Sequence, residues 1–105
     1  MDPWKTLIDA GLPDGAARPV DKGPLEDQLI ARAIHELASR VADLTERERD
    51  PLAAWLSAFS HHWPSRFRDV FGEEGQALLQ RVQPTDPNRY LKLRRIAIEN
   101  LAARL

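Results

Sequence analysis

Between Pro24 and Leu44, apolar residues recur at Leu29, Ile30, Ala33, Ile34, Leu37, Val41 and Leu44. Gln28, Arg32, His35, Glu36, Ser39 and Asp43 fill the opposite positions. That 3.6-residue period predicts one amphipathic helix laid on a core. Glu36 and Arg40 stand at i,i+4 in the favourable order for an ion pair. Two start signals follow. Thr45-Glu46-Arg47-Glu48 matches a capping box, and Asp50-Pro51 matches an N-cap with a first-turn proline. A short turn over 45–49 that flows into a helix over 51–63 accommodates both. Its stripe is Leu52, Trp55, Leu56, Phe59 and Trp63, and Pro64 ends it.

Shorter elements come next. Residues 64–71 predict a helix with Phe67, Val70 and Phe71 inward, stopped by Gly72. Residues 73–82 predict another, carrying Leu78, Leu79 and Val82, and Gln83 to Asp86 form a turn. Asp86-Pro87 then opens a segment that reaches Leu105 without another proline or glycine. At the other end, Pro3 to Ala10 predicts a short helix bearing Trp4, Leu7 and Ile8, with Gly11 as its stop. Gly11, Pro13, Gly15, Pro19, Gly23 and Pro24 make the following stretch an extended linker. The arm is expected to pack through Trp4, because a tryptophan is costly to leave in water. The chain divides into an N-terminal arm and Gly/Pro-rich linker (1–23) and a helical domain (24–105). No strand-like alternation and no internal repeat occurs. The expected fold is all-α, a compact single-domain bundle of about five helices with an N-terminal arm. Its main core should form where Trp55, Leu56, Phe59 and Trp63 meet Ile30, Ile34, Leu37 and Val41.

Composition sharpens this picture. A chain of 105 residues suits one ordinary domain. Leu and Ala number fourteen each, against twelve Val, Ile and Thr together, which favours helix over strand. Cysteine is absent, so disulfides, thiol catalysis and cysteine-based zinc sites are excluded. The acidic start Met1-Asp2-Pro3-Trp4 lacks the apolar region of a signal peptide, and no apolar run is long enough to span a membrane. The expectation is a cytoplasmic protein with no membrane partner. Arginine outnumbers lysine twelve to three, a bias that GC-rich bacterial genomes produce. Net charge is −1, yet residues 1–52 carry −4 and residues 53–105 carry +3. The split permits an anionic partner on the C-terminal half, or head-to-tail self-association.

Candidate chemistry is sparse. His61 and His62 are adjacent and point about 100° apart on a helix, whereas metal ligands on one helix stand at i,i+3 or i,i+4. His35 falls on a polar face and is expected to be solvated. Serines 39, 57, 60 and 65 lie in no nucleophile elbow and beside no evident base. The pairs Glu73-Glu74 and Glu46/Glu48 sit in polar stretches where raised carboxyl pKa values are not expected. Gly72 and Gly75 bracket two glutamates, which would repel a phosphate. No metal, cofactor or small-molecule substrate is expected, and no enzymatic activity.

Two stretches invite an interaction reading. His61-His62-Trp63-Pro64-Ser65-Arg66-Phe67-Arg68 interleaves bases with aromatics, a mix that nucleic-acid surfaces use. The plainer alternative buries Trp63 and Phe67 and leaves Arg66 and Arg68 snorkelling over them. The last helix is apolar almost all round. With 100° per residue, one broad arc collects Tyr90, Leu91, Ala97, Ile98, Leu101, Ala102 and Leu105, with Arg94 at its middle and Leu93 at its edge. Ile96 and Ala103 fall opposite, among Arg89, Lys92, Glu99 and Asn100. Either this helix meets a second surface, or it is central and wrapped by the others. Arg94 should then hold a carboxylate or lie at a subunit boundary.

The leading expectation is a non-catalytic protein acting by protein–protein interaction, as adaptor, accessory subunit or regulator. It should be oligomeric or partner-bound through Lys92, Leu93, Arg94 and Ile96. The alternative is a nucleic-acid-binding module using Arg66, Arg68, Arg89, Lys92 and Arg95, which requires those five on one contiguous face.

Overall fold

The computed structural model describes residues 2–13 and 25–103. The element order is α1 (Pro3–Asp9), α2 (Asp27–Ala38), a 3₁₀ turn (Val41–Asp43), α3 (Glu46–His62), α4 (Pro64–Arg81) and α5 (Pro87–Ala102). No strand occurs among the described residues. The chain is an all-α bundle, and a Cα radius of gyration of 12.3 Å matches the roughly 13 Å expected for one body of about 100 residues. The segment 14–24, which holds most of the expected linker, and Arg104 and Leu105 lie outside the described residues.

Local signals set most boundaries. The Asp2 side chain accepts from the Trp4 N–H at 3.0 Å to open α1. Gly11, at φ 108°, closes it. Leu12 N–H donates to the Leu7 carbonyl at 2.8 Å and Gly11 N–H to that of Ile8 at 3.0 Å. Those two bonds form a Schellman motif, and its apolar pair, Leu7 and Leu12, is buried. The arm therefore packs: Leu7, Ala10 and Leu12 are buried, and Trp4, half-buried, packs against the same core. Asp86 caps α5 by accepting from Asn88 N–H at 3.0 Å and Arg89 N–H at 3.2 Å. Within α4, Gly72 takes φ 59° and ψ −150°, a conformation that a side chain makes costly. The two helices read on either side of Gly72 are the two arms of a bent α4. The arms close so tightly that a Cβ at Gly75 would overlap the Phe71 side chain.

Tertiary contacts corrected two other boundaries. The helix expected through Leu44 ends at Ala38. Ser39 Oγ donates to the Glu36 carbonyl at 2.6 Å, and the Arg49 guanidinium donates to the Leu44 and Val41 carbonyls at 3.1 Å each. Arg49 thus supplies donors that a continued helix would have drawn from its own backbone. Arg40 falls beyond the helix, so the expected Glu36/Arg40 helical pairing does not form. In the next element, α3 starts at Glu46, with Thr45 N–H donating to Glu48 Oε1 at 2.9 Å. Asp50 is inside that helix and is not its N-cap.

The central helix is α3. Asp50, Leu52, Ala53, Ala54, Trp55, Leu56, Ala58 and Phe59 are all buried along it. Its most extensive partner is α5, its second α4, while α2 packs on α1 and α4. The residues expected to form the core join one buried cluster, except Trp63, which is partly buried and packs against its edge. However, the α2 stripe and α3 are not a tight helix pair. An aromatic layer fills the middle: Phe59 lies 5.3 Å from Trp55, 5.3 Å from Trp63, 6.2 Å from Phe67 and 5.2 Å from Phe71 between ring centroids. Tilted and edge-on rings at such distances add about 0.5–1.5 kcal/mol per pair beyond area burial. The Trp55 indole N–H donates to the Ala10 carbonyl at 3.2 Å, which ties the arm into the same core.

Candidate functional site

Helix α5 is laid on α3 by three polar ties, each made by a residue of α3 or of the arm. Asp50 is fully buried. Its carboxylate accepts from Thr85 N–H at 2.6 Å and from Thr85 Oγ at 3.0–3.1 Å, and pairs with Arg89 at 3.5 Å. Seven residues further along α3, Ser57 Oγ accepts from Arg94 Nε at 3.0 Å. Near the C-terminal end, Asn100 Nδ2 donates to the Gly11 carbonyl at 3.0 Å. Positions 50 and 57 are two turns apart on one face. Ala53 and Ala54, also buried, lie between them and let the two helix axes run close. Among the described residues, no buried side-chain nitrogen or oxygen lacks a partner.

These ties fix the rotation of α5, and that rotation differs from the expected one. Ala97 and Leu101 are buried, and Tyr90, Leu93, Arg94, Ile98 and Asn100 are half-buried. Leu91 and Ala102, expected in the inward arc, face out, Leu91 at 61 % exposure. The broad arc read from the wheel was too wide for a helix with one neighbour. Only its middle is covered, since α3 rather than α5 is the wrapped helix. Ile96 is exposed at 36 %. Leu91 and Ile96 are the exposed large hydrophobic residues among those described, and both are on α5, on its two opposite flanks.

Of the expected partner-binding residues, Lys92 and Ile96 are exposed and Leu93 and Arg94 are half-buried. Arg94 holds a serine hydroxyl, so of its two expected settings, a carboxylate partner or a subunit boundary, the carboxylate is not met among the described residues. Its Nε is engaged by Ser57, and its terminal nitrogens have no acceptor among the described residues. Together with Leu91, Arg95, Ile98 and Glu99, it lines a shallow hollow on the outer side of α5. Sequence reasoning missed that hollow because it placed Leu91 indoors; Ile98, also expected inward, is half-buried against the core and only edges the hollow. The signal available was their spacing of seven, which puts them on one stripe two turns apart.

The five bases of the nucleic-acid reading are not brought together as free cations. Arg66 sits on α4, its guanidinium on Asp27 at 2.6 and 3.0 Å and its Cζ 5.1 Å above the Trp63 ring. Arg68 is exposed beside the bend at Gly72. Arg89 pairs with Asp50, and with Asp86 at 3.8 Å. Lys92 and Arg95, on α5, have no carboxylate partner among the described residues. Arg66 and Arg68 belong to α4, and Arg89, Lys92 and Arg95 to α5, two helices that each pack on α3 and not closely on each other.

The histidines show no assembled chemistry. His62 lies edge-on to Trp63 with centroids 4.4 Å apart, and His61 is exposed. His35 is not simply solvated, because its Nδ1 meets the Glu74 carboxylate at 3.0 Å and joins α2 to α4. No group of three or more His, Asp or Glu stands ready for a metal among the described residues, and none of their helices is long and apolar enough to cross a membrane.

Comparison with known proteins adds no relative. No family model, curated protein or solved structure matches the chain. The reading of the site rests on the residues themselves.

Proposed function

We propose that this protein works by binding another protein through the outer face of α5, as a non-catalytic adaptor, accessory subunit or regulator. One observation carries the reading: the exposed large hydrophobic residues of the described chain, Leu91 and Ile96, both lie on the helix with the most unpaired positive charge. A lone exposed leucine is ordinary. Here Leu91 on one flank and Ile96 on the other border Lys92, Arg94 and Arg95 on a helix tied to α3 from behind, which offers both the apolar and the charged contacts that an interface uses.

The lysine distribution supplies a direct test. The chain has three lysines, at 5, 22 and 92, of which Lys92 alone belongs to α5. Amine-reactive cross-linking in cells of the source organism, read by mass spectrometry, should join Lys92 to a second polypeptide more often than Lys5. Cross-links that avoid Lys92 while reaching Lys5 contradict the proposal.

A further inference from the structure

We infer that the face of α5 formed by Leu91, Arg94, Arg95, Ile98 and Glu99 docks an acidic amphipathic helix of a partner protein, with Arg94 receiving a carboxylate. This rests on the proposed binding role of α5 and specifies what binds there.

The chemistry follows from how Arg94 is held. A half-buried guanidinium normally spends its fork on an acid. Here Nε is fixed by Ser57 at 3.0 Å, the terminal nitrogens lack an acceptor among the described residues, and Arg94 lines the hollow. Two parallel N–H donors held in this way match the two oxygens of a carboxylate, and little rotamer freedom remains to be lost on binding. Arg95 adds a second cation on the same rim, paired with no carboxylate of the described chain, so the two arginines outnumber Glu99, the acid that lines the same hollow. Leu91 and Ile98, seven residues apart, stand about 10.5 Å apart along the axis, on either side of Arg94. Two apolar residues two turns apart on an incoming helix fit that spacing, with acidic residues between them reaching the arginines.

Charge selects among occupants. Helix α5 carries Arg89, Lys92, Arg94 and Arg95 against Glu99 as its one acid. A second copy docking α5 on α5 would set these cations against their own duplicates. A phosphate backbone would satisfy the guanidinium groups but leave Leu91 without apolar contact. An acidic amphipathic helix satisfies both kinds of group.

The test uses the full chain and two labelled synthetic helical peptides. Both carry leucines seven residues apart; one has glutamates between them, and the other has glutamines at the same positions. Fluorescence anisotropy should show the glutamate peptide binding about tenfold more tightly, as a desolvated charged hydrogen bond supplies. Arg94→Gln should abolish that preference. Arg95→Gln, at an exposed position where folding is not at stake, should reduce it, and Ser57→Ala should weaken it by freeing the guanidinium. Equal affinity for the two peptides overturns the inference while leaving apolar docking on α5 intact. Absence of binding by either peptide, with Lys92 cross-links still found, overturns the inference alone. Displacement of the glutamate peptide by a single-stranded oligonucleotide, or a dimer by light scattering that Leu91→Glu dissociates, overturns it in favour of nucleic acid or a second copy. Absence of Lys92 cross-links removes the binding role itself.

Discussion

Helices α3 and α5 are neighbours of similar length, 17 and 16 residues, and they treat polarity in opposite ways. Along α3, eight residues are buried, including an aspartate, and each polar group turned inward is matched: Asp50 by Thr85 and Arg89, Ser57 by Arg94, Trp55 by the Ala10 carbonyl. Along α5, only Ala97 and Leu101 are buried, and Leu91, Lys92, Arg95 and Ile96 are left to solvent. Matching is what a folding element requires, because a buried unpaired polar group costs about 1–3 kcal/mol. Surplus is what an interface requires. The contrast assigns stability to α3 and supports the binding role proposed for the outer side of α5.

The sharpest way to break this contrast is to remove bulk from α3. Phe59→Ala deletes the ring at the centre of the aromatic layer and should cost about 3–5 kcal/mol, a large part of the stability of a small domain. Denaturant unfolding measures it, and a near-native midpoint would show that the layer is not the core. Next in size is Asp50→Ala. It strips the Thr85 N–H and hydroxyl of their acceptor and Arg89 of its buried partner, for an expected loss of about 2–3 kcal/mol. Loosening should centre on the turn before α5, visible as faster amide exchange at Thr85. Gly72→Ala should cost about 1–3 kcal/mol, since φ 59° with ψ −150° is closed to a side chain; thermal unfolding reads it. Smallest is Leu91→Ala, expected within about 0.5 kcal/mol of the parent chain, as for surface changes generally.

How far the sequence alone reached follows the same line. Signals that act within a few residues were legible: the Gly11 stop, the Asp86 cap, the Glu48 contribution to the α3 start, and the Gly72 bend. Each depends on backbone chemistry within one turn. What was not legible depends on partners far along the chain. Asp50-Pro51 has the form of a helix start, yet Asp50 serves Thr85, 35 residues away. The end of α2 at Ala38 is fixed by Arg49 reaching back from α3. The rotation of α5 depends on Ser57 and Asp50, so a wheel drawn from α5 alone could not tell that Leu91 faces out. Lys92, Arg94 and Ile96 were singled out from their mixture of charge and apolarity; Leu91 was assigned to the wrong side, whereas Ile98, half-buried against the core, was not.

The central claim is that α5 holds the fold together with one face and a partner with the other, and Leu91 separates the two roles. The decisive measurement compares the parent chain with Leu91→Glu in parallel, taking the melting temperature and the recovery of complexes cross-linked through Lys92. The account predicts an unchanged melting temperature with the complexes lost, because a charge enters the interface and touches no core contact. Complexes retained at parental levels, or a variant that fails to fold, would contradict it.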